Sequence, residues 1–185
     1  WWVRVRSADA LGTLGGPRVV DAVLELTRDP DEFARRYAIE ILNTVPDPRA
    51  VPALIVALDD EDWWVRERAV DALGKARDLR AVDPLLHMMG RDMQALPLCV
   101  RALGAIGGPA VVEPLCRLVD SEDADTRREA LQALVPLAQT DLPDEVRQNI
   151  LAVLDKAGVR TSRNSSRKPM GVRAGHAGET RPSNE

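Results

Sequence analysis

Trp63-Trp64-Val65-Arg66-Glu67-Arg68-Ala69-Val70-Asp71-Ala72-Leu73-Gly74 echoes the opening of the chain, Trp1-Trp2-Val3-Arg4 followed by Asp9-Ala10-Leu11-Gly12. Its leucine belongs to a series. Leu11, Leu42, Leu73, Leu103 and Leu134 are separated by 31, 31, 30 and 31 residues, each inside the same local pattern. A unit that short cannot bury its own apolar face, so it must stack on its neighbours, and such a period reads as a solenoid.

Each unit holds two amphipathic helices. In the third, Val65, Ala69, Ala72, Leu73 and Ala76 fall on one helix face, and Val82, Leu85, Leu86 and Met89 on another. The spacing predicts first helices over 1–13, 32–44, 63–76, 93–106 and 124–138, and second helices over 17–28, 48–58, 79–89, 109–119 and 143–156. The punctuation agrees: Gly15-Gly16-Pro17, Gly107-Gly108-Pro109 and Asp47-Pro48 combine helix-stopping and helix-starting residues. Acidic turns such as Asp29-Pro30-Asp31 and Asp59-Asp60-Glu61-Asp62 complement the positive end of the helix that follows. The fold class is therefore all-α, an αα-superhelix of about five repeats of about 31 residues, at about 1–31, 32–62, 63–92, 93–123 and 124–158. From 159 to 185 the periodicity is gone, and a basic, apolar-poor tail is expected to be disordered.

Charge divides the same way. From Arg160 onward there are six basic and two acidic residues, and the rest of the 185-residue chain carries 19 basic and 27 acidic ones. An acidic array is a poor partner for nucleic acid or an anionic membrane, both of which require a basic footprint. No run approaches a membrane span and no signal peptide is visible, so the expected location is cytoplasmic. The start at Trp1, in mid-pattern, reads as a fragment or a processed product. The exposed first repeat, with its two indoles, is expected to favour self-association.

Two rows recur. An aspartate stands eleven residues before the leucine at Asp31, Asp62, Asp92 and Asp123, and an arginine seven before it at Arg4, Arg35, Arg66 and Arg127. The aspartate suits a helix N-cap, and the guanidinium can reach an aspartate of the adjacent unit, fixing the register between units. The Asp and Val-Arg spacing, followed by Asp-Ala-Leu-Gly and by Arg49-Ala50-Val51 or Arg80-Ala81-Val82, resembles the HEAT repeat. More narrowly it resembles the phycobilisome-lyase-type (PBS lyase) HEAT-like subgroup. The resemblance covers roughly 1–157 and implies a superhelix whose second helices line the inner surface. The fourth repeat departs from it, with Leu96 in place of the arginine and Pro97 expected in the second turn of the helix.

Chemistry is sparse. His87 and His176 are the only histidines, and there is no Cys-x-x-Cys, His-Glu-x-x-His or phosphate loop. The His-Glu pairs of di-iron relatives are missing, and the array's acidity opposes the DNA-repair relatives, whose inner surface is basic. Cys99 and Cys116 read as free thiols rather than a disulfide or ligand pair. At least one ring of each Trp-Trp pair is expected to pack on the neighbouring unit. No cofactor and no metal site are expected.

What remains is a non-enzymatic scaffold or adaptor that binds another protein through a curved helical surface. If Val20, Leu24 and their equivalents face inward, the second helices expose Asp21, Pro52, Asp83 and Glu113 in one row and Glu25, Val56, His87 and Arg117 in another. Ionisable groups there are mostly acidic, which points to a partner with a basic surface. The alternatives are a subunit of a bilin lyase or related chromophore-modifying enzyme, and a regulatory domain of a larger protein.

Overall fold

A computed structural model describes residues 17–45 and 47–159, so Trp1, Trp2, Arg4 and the tail from Arg160 lie outside it, together with the expectations that rest on them. Among the described residues the chain is helical: α1 (Pro17–Leu26), α2 (Glu32–Thr44), α3 (Val51–Ala57), α4 (Trp63–Ala76), α5 (Val82–Met89), α6 (Leu96–Ile106), α7 (Pro109–Leu118), α8 (Ala124–Leu137) and α9 (Asp144–Lys156). It is an αα-solenoid. Helices α2, α4, α6 and α8 are the first helices of their units, and α1, α3, α5, α7 and α9 the second.

Local chemistry explains most boundaries. Asp31 starts α2 by accepting from the Phe33 and Ala34 N–H groups, Asp62 starts α4 through Trp64, and Asp123 starts α8 through Thr126. The second helices of two units begin with a tighter turn than expected. Pro48–Ala50 and Leu79–Ala81 are 3-10 turns, each opened by an aspartate that holds both the backbone N–H and the guanidinium of Arg49 or Arg80. Gly107 and Gly108 take φ values of 77° and 92°, which lets the chain reverse between α6 and α7.

The fourth unit corrects the reading of Pro97. Its first helix begins at Leu96, three residues later than expected, because Asp92 caps a separate turn through the N–H groups of Gln94 and Ala95. Pro97 thereby falls in the first turn, where its missing N–H would have no partner anyway. Leu96, in the place of the arginine, is buried in the apolar core.

Packing organises these helices into two layers. Each second helix packs chiefly on the first helix that follows it, so α3 with α4, α5 with α6 and α7 with α8 form hairpins around the acidic turns. Val23, Ile39, Leu54, Leu73, Leu85, Leu103, Leu115, Leu134 and Ile150 fill the space between layers and are fully buried. Along the array, the first helices contact one another much more extensively than the second helices do. The cause is side-chain size. A Cβ added at Gly74 would stand 3.0 Å from the Cα of Ala102, and one at Gly104 only 2.5 Å from the Cβ of Ala133. The first helices α2, α4, α6 and α8 therefore form the more extensively joined layer of the stack.

The charged rows tie turns to helices. Arg35 is buried and uses every donor of its guanidinium: Nε and one terminal nitrogen donate to Asp60 at 2.8 and 3.0 Å, and Glu61 and the carbonyls of Asp29 and Pro30 take the rest. Arg66 repeats the backward contacts on the Asp60 and Glu61 carbonyls and reaches Asp92, in the turn that ends its own unit, at 3.3 Å. Arg127 donates to the Ser121 carbonyl at 2.6 Å. Asp62 is held by Arg36, at 2.5 Å, and not by Arg35.

Three outcomes follow from this packing. Gly104→Ala is expected to lose about 1–2 kcal/mol in urea denaturation, because overpacking outweighs the gain in helix propensity, while Gly74→Ala stays within about 0.5 kcal/mol. Equal effects would mean that α6 and α8 can separate freely. Arg35→Ala leaves the half-buried Asp60 carboxylate with the Asp62 N–H but no cation and should cost about 3 kcal/mol, whereas Arg127→Ala, at an exposed site, should leave the melting temperature nearly unchanged.

The third outcome concerns acid. Burial pushes the Asp62 carboxyl up, but Arg36 and the Trp64 N–H outweigh it and hold the group below its usual value. In Asp92 the Ala95 N–H and Arg66 likewise outweigh burial. A depressed folded value means stability that is complete above the unfolded carboxylate pKa, about 3.9, and lost as pH falls through the folded one. Thermal melting should therefore hold steady to about pH 5 and decline below it; an unchanged midpoint down to about pH 2.5 would show that these caps contribute nothing.

Candidate functional site

The seven residues singled out on the second helices all reach solvent. Asp21 and Glu25 lie on α1, Val56 on α3, Asp83 and His87 on α5, and Glu113 and Arg117 on α7, every one of them exposed. Their charge is smaller than the sequence implies. Asp21 pairs with Arg49 of the next unit at 2.9 Å, and Glu113 pairs with Arg117 one turn along its own helix. Only the carboxylates of Glu25 and Asp83 are left without a side-chain partner among the described residues.

Nucleophilic and metal chemistry find little support among the described residues. No group of three or more His, Cys, Asp and Glu side chains could hold a metal ion there. Cys99 is free and buried, and burial pushes its thiol up to about 12, which keeps it protonated and inert. Cys116 is free and half-buried. None of the described helices is long and apolar enough to cross a membrane.

The concavities lie on the opposite side, between first helices. One groove, of about 510 Å³, runs between α4 and α6 over Gly74 and Ala102. A second, of about 480 Å³, runs between α6 and α8 over Gly104 and Ala133. They adjoin, sharing Arg77, Arg101 and Ala105. Small residues make the floor, with Gly74 buried and Gly104 half-buried where they meet Ala102 and Ala133 of the facing helix.

The rim is charged and largely arranged in advance. Lys75 donates to Asn43 at 2.9 Å and pairs with Asp71 at 3.0 Å, while Asn43 donates to Asp71 at 3.2 Å. Burial pushes the Asp71 carboxyl up, but Lys75 and Asn43, aided by the charge of Arg101, hold it below its usual value. Glu129 lies 3.8 Å from Arg128. Arg77 and Arg101 differ from these, since neither side chain has a hydrogen bond or ion pair among the described residues. The sequence carries a faint signal of this surface: Gly74 and Gly104 occupy one position of the repeat, and Glu40, Asp71, Arg101 and Gln132 vary at another.

The described tryptophan pair lies at the start of α4. Trp63 is 57% exposed and Trp64 half-buried, and neither belongs to the apolar core. The Trp64 ring is covered within its own helix by the Arg68 guanidinium, 5.3 Å from its centroid, much as Arg36 covers Phe33.

Comparison with known proteins agrees with the fold. Residues 25–96 match the HEAT repeats family, and residues 3–29 and 99–121 match the PBS lyase HEAT-like repeat. Among curated proteins none matches significantly. Among solved structures, the chain is similar to the complex of CpcE and CpcF of phycocyanin lyase from Nostoc sp. PCC7120, at 22% identity and TM-score 0.60 over 82% of this chain and 70% of that one. It is also similar to a designed armadillo repeat protein in complex with the peptide (KR)4, at 18% identity and TM-score 0.58 over 82% of each chain. An engineered protein aligns at 21% identity and TM-score 0.55, over 87% of this chain and 51% of that one. With repeat period, layered helices and family matches in agreement, the chain belongs to the HEAT-repeat family, with units of the PBS lyase HEAT-like type.

Proposed function

We propose that the chain is a non-enzymatic protein-interaction module that holds a segment of a partner on the layer of first helices. One observation carries this reading: two adjoining grooves with a glycine and alanine floor cross α4, α6 and α8 and end at charged rims. Such a surface is made by stacking and needs no change of shape to receive an extended chain. That similar folds occur in complexes with a protein and with a peptide supports a protein partner.

The exposed rows of second helices add a further contact in this reading. Glu25 and Asp83 are the charges left there to attract a basic surface, with Asp21 and Glu113 already paired. The PBS lyase HEAT-like units and the likeness to the CpcE–CpcF complex favour a second reading, a bilin lyase subunit that acts only with another polypeptide. Covalent transfer of a bilin by the chain together with a purified partner would establish it.

Affinity capture from the native organism, made with three baits, tests the main reading. Ala105 is exposed and lines both grooves, so Ala105→Trp should fill them without disturbing the core. The partner retained by the natural chain is expected to be lost on Ala105→Trp and kept on Glu25→Lys with Asp83→Lys, or weakened there by no more than several-fold, with softer salt dependence. A partner indifferent to Ala105→Trp but lost on the double reversal would move the site to the second helices.

A further inference from the structure

The groove reading says where a partner segment lies; the charges at the groove junction say what it carries. Of the ionisable groups around the two grooves, Asp71 and Lys75 neutralise each other and Glu129 lies beside Arg128. The two guanidinium groups that remain, Arg77 and Arg101, are the ones shared by both grooves. Arg101 is exposed on α6. Arg77 stands at the end of α4 with φ 52°, a left-handed position that glycine or asparagine fills more easily. An arginine held there ends the helix and leaves its side chain at the mouth of both grooves.

An array with an acidic balance thus keeps two arginines, neither with a side-chain hydrogen bond or ion pair among the described residues, at the junction of two grooves on its first helices. Guanidinium groups recognise carboxylates through paired, charge-assisted hydrogen bonds, and the small-residue floor lets a backbone approach closely. Adjacent helices lie roughly 9 Å apart, so a path across three of them is about 18 Å, the length of five or six extended residues at about 3.4 Å each. Two arginines are far too few for nucleic acid, whose binding needs many phosphate contacts.

We propose that the adjoining grooves bind an extended acidic segment of a partner protein, with Arg77 and Arg101 as its carboxylate anchors. This rests on the groove reading above and narrows it. Three labelled octapeptides, alternating glycine with glutamate, lysine or serine, are to be titrated against the full chain at low ionic strength, with amide shifts followed by NMR. The glutamate peptide should bind at least tenfold more tightly than the serine peptide, shift the amides of Gly74, Gly104 and Ala105, and weaken as salt is added.

The double variant Arg77→Asn with Arg101→Gln should lower that affinity at least fivefold with helicity unchanged, since asparagine tolerates the left-handed position and neither arginine side chain has a hydrogen bond or ion pair among the described residues to lose. Retention of affinity by the variant overturns the proposal, and so do shifts confined to α3, α5 and α7. If the lysine peptide binds best and shifts the same groove amides, the acidic occupant is wrong and the groove remains a protein-binding site. If none of the three binds while the captured partner still protects those amides, the acidic occupant fails in the same way and the broader reading stands.

Discussion

The approach distance of the first helices governs the rest of the array. Interaxial distance follows the size of the side chains at the contact, and here those are Gly74 against Ala102 and Gly104 against Ala133. Close packing joins the first helices to one another more extensively than the second helices are joined. The same small residues form the floor of the two grooves. Tight stacking and groove floor are consequences of one constraint.

Register depends on a second device, with a local part and a longer-range one. Arg35, Arg66 and Arg127 each fold back on the carbonyls of the turn before their own helix, and Arg35 and Arg66 also grip a carboxylate in the turn that leads into the next unit. Carbonyls in a short turn between two helices need partners, and an arginine one turn into the next helix is within reach of them. The fourth unit does without the clamp. Leu96 enters the core instead, and replacement of a buried ion pair by apolar packing is a substitution that protein interiors accept readily.

The two faces of the array are chemically distinct for reasons that lie in pairing rather than composition. On the second helices, acids that look free along the chain have cations within reach, from the next unit for Asp21 and from the same helix for Glu113. On the first helices the reverse holds. Asp71 draws in Lys75 and Asn43, and the nearby Arg77 and Arg101 keep their charge. Net charge summed over the array therefore says little about either surface, because a partner meets only what the fold leaves unpaired.

The sequence by itself determined the period, the helices, their aspartate caps and the apolar stripes, since these are interactions within a few residues or patterns repeated in every unit. Leu42, Leu73, Leu103 and Leu134 are buried as the repeat requires, and Asp31, Asp62 and Asp123 cap the helices that follow. It also contained the fourth unit's departure, at Leu96 and Pro97, though the shift that moves Pro97 into a first turn depends on the turn Asp92 closes upstream. Tertiary structure alone decided which layer is joined more extensively, which charges are spent and where the hollows lie. Those depend on distances between side chains some 30 residues apart in sequence, such as Gly74 with Ala102 and Asp21 with Arg49, and a one-dimensional pattern carries the order of such residues but not the gap between them.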